Sequence, residues 1–152
     1  MKLLRLAFAF ASLAVMLVLA GPASASTQKY HATFVEIGAN PATGIACGSA
    51  TISELGHVAN QCIVFDACAP NCDVRTITFD DGSTLVIHES VVGVISPGQS
   101  SAAGANAPLF LKITQTIVSG TGRLAGATGS GTGRVNTAAG FVITASGTIN
   151  LP

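Results

Sequence analysis

The feature that most constrains this chain is an alternation of apolar and polar side chains with a period of two, which runs through most of the sequence after residue 25. In the stretch "KYHATFVEIG", one set of alternate positions holds Tyr30, Ala32, Phe34 and Glu36, and the other holds His31, Thr33, Val35 and Ile37. A period of two belongs to the β-strand, whose successive side chains point to opposite faces. Because no stretch after residue 25 shows a convincing period of 3.6, the sequence predicts an all-β protein.

Several stretches carry this alternation or the β-branched composition of strands. They are 29–38, 47–54, 57–65, 74–79, 84–95, 109–118 and 140–151. Asp81-Gly82 predicts a tight hairpin with positive φ at both residues, and the small, polar segment 96–108 predicts a flexible loop. Seven or eight antiparallel strands in one domain predict a sandwich or a closed barrel, and closure removes the exposed edges that promote aggregation.

The first 25 residues have the layout of an export signal. Lys2 and Arg5 precede an apolar run over 6–20, which is followed by a Gly-Pro breaker and the small-residue pattern "ASA". The run is shorter than the roughly 20 residues that cross a bilayer, although an uncleaved anchor is the alternative. We therefore expect a cleaved signal peptide over 1–25, a single domain over 26–152, and a secreted, extracellular protein that has no membrane contact after cleavage.

The charge balance of the mature chain argues against two classes of partner. Lys2 and Arg5 lie in the predicted signal, so five of the seven Lys and Arg residues remain against seven Asp and Glu. Nucleic acid and anionic membrane surfaces both bind clusters of cations. We therefore expect neither a nucleic-acid partner nor attachment to a membrane surface.

Four cysteines, Cys47, Cys62, Cys68 and Cys72, remain in the mature chain. In an oxidising compartment an even set predicts disulfides, and four cysteines allow three connectivities. We favour Cys47–Cys62 and Cys68–Cys72, worth about 3 and about 2 kcal/mol by loop-closure entropy. The alternative is a zinc site with His57 as a further ligand. Structural zinc sites combine closely spaced cysteine pairs, so we expect no metal.

The most glycine-rich segment, "SGTGRLAGATGSGTGR" at 119–134, invites comparison with a nucleotide-binding loop. Gly120, Gly122 and Ala125 fit a relaxed dinucleotide fingerprint. That fingerprint must open a helix and be followed by an acidic residue about 20 positions on. The glycines that follow would destabilise a helix by about 1 kcal/mol each, and no Asp or Glu follows Glu89. We therefore expect no nucleotide and no other cofactor.

The same segment resembles the signature of the allene oxide cyclase and dirigent barrels and of related exported bacterial proteins. The likeness covers 109–151, with a mild departure at Leu124, where that family usually has Phe. It implies a glycine corner, one helical turn over 123–126 and a glycine-rich strand over 127–135. The structural turn positions it implies are Gly120, Gly122 and Gly126. It also implies an eight-stranded antiparallel, calycin-like barrel that is often trimeric, and it implies no activity, because a fold does not determine function.

Catalytic residues are not evident in the sequence. His88 and Glu89 are neighbours on a strand, so they point to opposite faces and cannot form a dyad. Arg123 is expected to pair at the barrel corner, or else to bind a ligand carboxylate. Catalytic and ligand-binding residues therefore cannot be assigned from the sequence.

Two main classes of function stay open, and we favour the first. It is a non-catalytic exported barrel that binds a small apolar ligand or acts as an interaction module. The alternative is a cyclase, isomerase or dirigent-like protein that steers a reactive intermediate, and a weaker third is a surface component that works by oligomerising. The interior separates these two classes. If Val, Ile, Leu and Phe fill the lumen, the barrel is a core and the enzyme has no pocket, whereas an open cavity with one or two buried polar groups favours catalysis or binding.

Overall fold

The computed structural model describes residues 26–95, 110–137 and 141–152, and these form a closed antiparallel barrel of eight strands. The strands are β1 (Ser26–Asn40), β2 (Ile45–Ile52), β3 (Val58–Cys68), β4 (Cys72–Phe79), β5 (Thr84–Ile95), β6 (Phe110–Gly120), β7 (Thr128–Asn136) and β8 (Val142–Leu151). Each strand pairs with the next along the chain, and β8 pairs with β1 from Ser26–Leu151 to Val35–Val142. The all-β, eight-stranded barrel expected from the sequence is confirmed.

The remaining expectations about the chain's organisation have different outcomes. The signal peptide at 1–25 and the loop at 96–108 lie outside the described residues. Within the residues that the structure does describe, no helix is long and apolar enough to cross a membrane. The expected helical turn is a short 3-10 helix at Gly122–Leu124, one residue earlier than predicted at its start.

The hairpin between β4 and β5 differs in one detail from the prediction. Only Gly82 has a positive φ, of 79°, and Asp81 does not. The N–H of Gly82 donates to the carbonyl of Phe79 at 2.9 Å, and the N–H of Phe79 donates to the carbonyl of Ser83 at 2.9 Å. This is the three-residue loop in which a type I turn is followed by one left-handed residue, so a single glycine is sufficient.

Both favoured disulfides, Cys47–Cys62 and Cys68–Cys72, are present. Cys47 and Cys62 are directly opposed on β2 and β3, so the first bond links neighbouring strands. Cys68 and Cys72 are opposed where β3 gives way to β4. The pairings favoured from the sequence are therefore confirmed, and disulfides are consistent with an extracellular protein.

The two ends of the barrel are packed differently. At the end that carries the β2–β3, β4–β5 and β6–β7 connections, Leu55, Phe79, Leu85 and Leu124 are buried together. We call this the closed end, because Leu124 is fully buried there. The opposite end carries the other connections, and we call it the open end. Here the inward-facing positions include charged side chains, and these form the candidate site.

Candidate functional site

Arg75 is a fully buried cation in the barrel lumen, with 0% of its surface exposed. It lies on the inward face of β4, together with the buried residues Ile77 and Phe79 at the next alternate positions. Its Nε and Nη2 donate to the two carboxylate oxygens of Glu89 at 2.8 and 3.0 Å, and Nη2 also donates to Glu36 at 2.8 Å. Paired hydrogen bonds of this kind match the planar fork of a guanidinium and fix its orientation.

Uncharged side chains extend this cluster on both sides. Arg75 Nη1 donates to Gln61 Oε1, and Gln115 Nε2 donates to Glu89 at 2.7 Å. Tyr30 Oη then donates to Gln115 Oε1 at 2.8 Å. The guanidinium carbon of Arg75 also lies 4.3 Å from the ring centroid of Phe34, a cation–π contact. We call the six hydrogen-bonded side chains the lumen cluster: Tyr30, Glu36, Gln61, Arg75, Glu89 and Gln115.

Glycines on β7 and β8 make room for the tyrosine of this cluster. Tyr30 is paired with Gly147, Gly147 with Gly131, and Gly131 with Gln115, so the four residues lie in one row across the sheet. A Cβ atom placed on Gly131 would lie 2.3 Å from Tyr30 Oη, closer than two such atoms can approach. The tyrosine can therefore span two strands and reach Gln115 on a third because Gly131 has no side chain.

Burial and neighbouring charge shift the pKa values of the ionisable groups in the lumen. Burial raises the pKa of Glu36, although Arg75 opposes the shift. Burial and, second, the charge of Glu89 raise the pKa of Tyr30 to about 12. For Arg75, burial favours the neutral form, but Glu89 and then Glu36 outweigh it and raise its pKa. Arg75 therefore stays cationic and Tyr30 stays protonated at neutral pH.

A cavity of about 80 Å³ lies above the lumen cluster at the open end. Its polar lining comes from Glu36, Asp73, Arg75 and Glu89. The remaining lining is apolar and consists of Ile63, Phe65, Val91, Leu111, Ile113, Val135, Phe141 and Ile143. Pockets for drug-sized ligands usually measure about 300 to 1,000 Å³, so this cavity suits a molecule of only a few non-hydrogen atoms.

Asp73 stands at the edge of this cavity and belongs to the same electrostatic system. Its Oδ1 accepts a hydrogen bond from the N–H of Asp66 at 2.9 Å, and it is paired across the sheet with Glu89. Burial raises its pKa, and the hydrogen bond from Asp66 opposes that shift. The cavity therefore presents three carboxyl groups and one guanidinium from the described residues.

No protein-family model, curated protein or solved structure matches this chain. The likeness to the allene oxide cyclase and dirigent barrels, which the glycine segment suggested, therefore stays a prediction. Function has to be inferred from the chemistry of the lumen.

Arg123, the ligand-binding candidate from the sequence, lies at the closed end of the barrel, whereas the lumen cluster lies towards the open end. Its Nε donates to Asp81 at 2.6 Å, its Nη2 donates to the carbonyl of Leu55, and its guanidinium carbon lies 4.8 Å from the ring centroid of Phe79. The N–H of Ser83 and then Arg123 lower the pKa of Asp81. The side chain thus joins the β2–β3, β4–β5 and β6–β7 connections.

The three turn glycines predicted by resemblance surround this arginine in the chain. Gly122 and Gly126 have φ values of 59° and 79°, in the left-handed region that favours glycine. A Cβ on Gly120 would lie 2.3 Å from the carbonyl oxygen of Leu124. Each position therefore has a backbone reason to hold glycine, two through conformation and one through close approach.

The zinc alternative placed His57 beside the cysteines, but the structure places a different histidine there. The ligand atoms of Cys68, Cys72 and His88 lie within 4.8 Å of one another. Zinc binds cysteine as the thiolate, and the two sulfurs are bonded to each other instead. As a disulfide, this pair offers zinc no thiolate.

The lumen cluster was missed in the sequence because each member was considered alone. Glu89 was excluded as the partner of His88, and the two side chains do face opposite ways, with Glu89 buried. The signal that could have identified the cluster is a polar residue among the alternate positions that are otherwise apolar and face inward. Glu36 is such a residue, because it follows Tyr30, Ala32 and Phe34 on the same face of β1. The same signal marks Arg75, Glu89, Gln61 and Gln115.

Proposed function

We propose that this chain is an exported, non-catalytic β-barrel that binds a small apolar ligand at its open end. The observation that carries the proposal is the cavity of about 80 Å³, which has a mostly apolar lining and includes Glu36, Arg75 and Glu89 of the lumen cluster. A lumen that served only as a core would have no reason to bury a cation and two carboxylates, since desolvating them is costly. Concave apolar sites with a few fixed polar groups are typical of ligand pockets.

Export is part of this proposal. Two disulfides support it, because such bonds persist in oxidising compartments. The basic and apolar layout of residues 1–25 supports removal of a signal peptide. We expect the intact mass of the exported protein to correspond to residues 26–152 less four hydrogens, and retention of residues 1–25 would contradict export by cleavage.

The rim of the open end supports entry of an apolar molecule. Ile37 is 77% exposed, and Val92, Val94 and Phe141 are also exposed at this end. An apolar ligand would contact this rim before it enters the cavity. The same rim supports the interaction-module interpretation, including the trimer implied by resemblance, and sedimentation velocity of the mature protein measures the number of copies.

A cyclase or isomerase is the second candidate, because the cavity contains carboxyl groups that can exchange a proton. Burial raises the pKa values of Glu36 and Asp73, and general acids in enzymes are commonly tuned in this direction. We expect a binding protein to leave its ligand unchanged. Incorporation of deuterium from heavy water into carbon positions of a bound ligand would favour the isomerase instead.

Binding is tested with 1-butanol, a small uncharged molecule with an apolar tail. We expect its addition to shift the methyl resonances of Leu111, Val135 and Ile143, which line the cavity. Ile143→Trp should fill the cavity and abolish the shifts. Val118→Trp, at an exposed position on β6, is the matched control and should leave them intact. Saturating 1-butanol without shifts at the cavity residues would contradict the proposal.

A further inference from the structure

We infer that the cavity selects a primary alkylammonium ion, with the ammonium group at the carboxylates and the short alkyl tail against the apolar wall. This inference rests on the proposed function, because it names the class of ligand that the same cavity takes. The cavity should therefore bind an amine more tightly than the carboxylic acid or the alcohol of the same chain length.

The first reason is the charge of the lining. Glu36, Asp73 and Glu89 line the cavity with one cation, Arg75. With all four ionised, the described lining carries an excess of two negative charges. Charge in an apolar, water-poor site acts more strongly than at the surface, so a cationic ligand is favoured and an anionic one is repelled.

The second reason is that four of the five N–H donors of Arg75 are already used. Each of its three nitrogens donates to a side chain of the lumen cluster, and its flat face is stacked on Phe34. A ligand carboxylate could make paired hydrogen bonds to the guanidinium only by displacing Glu89 or Glu36, because both N–H groups of Nη2 are already used. Leaving either carboxylate buried without its partner is costly, which argues against an acid as the ligand.

The third reason is the unused acceptor capacity of two carboxylates. Glu36 is 6% exposed, lines the cavity, and uses Oε1 to accept from Arg75. Asp73 uses Oδ1 to accept from the N–H of Asp66. Among the described residues, neither Glu36 Oε2 nor Asp73 Oδ2 receives a hydrogen bond. Glu36 is therefore a buried acceptor at the cavity with an oxygen to spare, and Asp73 adds a second from another strand.

A primary ammonium fits these acceptors in number and in charge. It has three donors, whereas an alcohol has one, and hydrogen bonds between ions are roughly twice as strong as those between neutral groups. The apolar wall from Leu111, Ile143 and their neighbours accounts for the alkyl part of the ligand. An inorganic cation would leave this wall without a partner.

The inference is tested by comparing n-butylammonium, 1-butanol and butyrate at equal ionic strength near neutral pH, by calorimetry and by the methyl shifts of cavity residues. We expect n-butylammonium to bind roughly tenfold more tightly than 1-butanol, and butyrate to bind more weakly than both. If 1-butanol binds and n-butylammonium binds no more tightly, the amine inference is overturned and the proposed function stands. If 1-butanol does not bind, the proposed function is overturned, and if n-butylammonium does not bind either, the amine inference is overturned as well.

Variants that each remove one negative charge test which carboxylate causes the preference for n-butylammonium over 1-butanol. Glu36→Gln keeps the size of the side chain and removes its charge, so the preference for n-butylammonium over 1-butanol should fall to roughly threefold or less. Glu54→Gln makes the same change at an exposed position of the closed end and should retain the full preference. If far-UV circular dichroism shows that Glu36→Gln is unfolded, Asp73→Asn is compared instead, because its amide oxygen can still accept from Asp66. A preference that survives in the folded variant would overturn the assignment.

Discussion

Tyr30 shows how one residue can report on the interior of this barrel. It is the single tyrosine of the chain, and there is no tryptophan, so no other side chain contributes to the absorbance band of its ionised form. Its hydroxyl is buried and donates to Gln115, which in turn donates to the carboxylate of Glu89. Burial disfavours the ionised tyrosine and the negative charge of Glu89 repels it, which is why its pKa is raised.

We expect the tyrosinate absorbance of the folded protein to titrate with a pKa of about 12, against about 10 for the protein unfolded in urea. Because the folded-state value is the higher one, the stabilisation is fully present below pH 10 and is lost as the pH rises through 12. The difference in unfolding free energy between the wild type and Tyr30→Phe should therefore shrink by up to about 3 kcal/mol over this range. A folded-state titration near pH 10 would contradict this.

At the scale of the element, strand β7 is unusual because its inward face is built from glycine. Gly129, Gly131 and Gly133 alternate with hydroxyl and charged residues that face outward. Large inward side chains from other strands occupy the space, with Ile117 beside Gly129, Tyr30 beside Gly131 and Ile113 beside Gly133. The glycines of β7 therefore leave room for side chains in the lumen, whereas Gly120, Gly122 and Gly126 shape the connection between β6 and β7.

We expect Gly131→Ala to lower the free energy of unfolding by roughly 1 to 3 kcal/mol, the usual cost of overpacking. The added methyl group would lie 2.3 Å from Tyr30 Oη and 2.8 Å from the carbonyl oxygen of Ser146. Gly93→Ala on β5 is the matched control, because a Cβ there meets nothing within 4 Å. Urea unfolding followed by circular dichroism measures both variants.

The double variant Tyr30→Phe/Gly131→Ala tests the cause. Removing the hydroxyl relieves the shortest contact, so the loss should be smaller than the sum of the two single losses. Strict additivity, or equal losses in Gly131→Ala and Gly93→Ala, would contradict the packing role of Gly131.

The strands could be predicted from the sequence, whereas the set of side chains that they bring together in the lumen could not. Alternation and strand composition identify a strand from its own residues, so seven of the eight strands were found within a few positions of their observed bounds, and β7 was predicted over 127–135 only by the resemblance. The lumen cluster depends on register: Glu36, Arg75 and Glu89 are separated by dozens of residues and meet because closure brings β1, β4 and β5 around one axis. Disulfides were predictable because spacing and compartment limit the choices. Alternation places Arg75 on the inward face of β4, but nothing local indicates which residues pair with it.

At the scale of the whole molecule, the barrel separates its two tasks by end. The closed end is sealed by Leu55, Leu124 and their neighbours, and Arg123 ties its connections together. The open end holds the cavity and the lumen cluster, which joins five strands through one buried cation. Buried ionic groups seldom add net stability compared with apolar packing, and this is one reason why we propose a binding site at this end.

This division predicts how the molecule responds to loss of its central cation. Arg75→Met should lower the free energy of unfolding by about 3 to 5 kcal/mol near neutral pH, because Glu36 and Glu89 remain buried without a counter-charge. Burial already raises the pKa of Glu36, and without its counter-charge that pKa would rise further, so the variant should regain stability as the pH falls and Glu36 takes up a proton. The triple variant Arg75→Met/Glu36→Gln/Glu89→Gln also removes both carboxylate charges and should recover much of the loss at neutral pH. The control is Arg134→Met, at an exposed position of β7, which should change the free energy of unfolding by no more than about 0.5 kcal/mol. Urea unfolding over a pH series measures all four proteins, and a loss in Arg75→Met that does not depend on pH would show that its cost is packing and not unpaired charge.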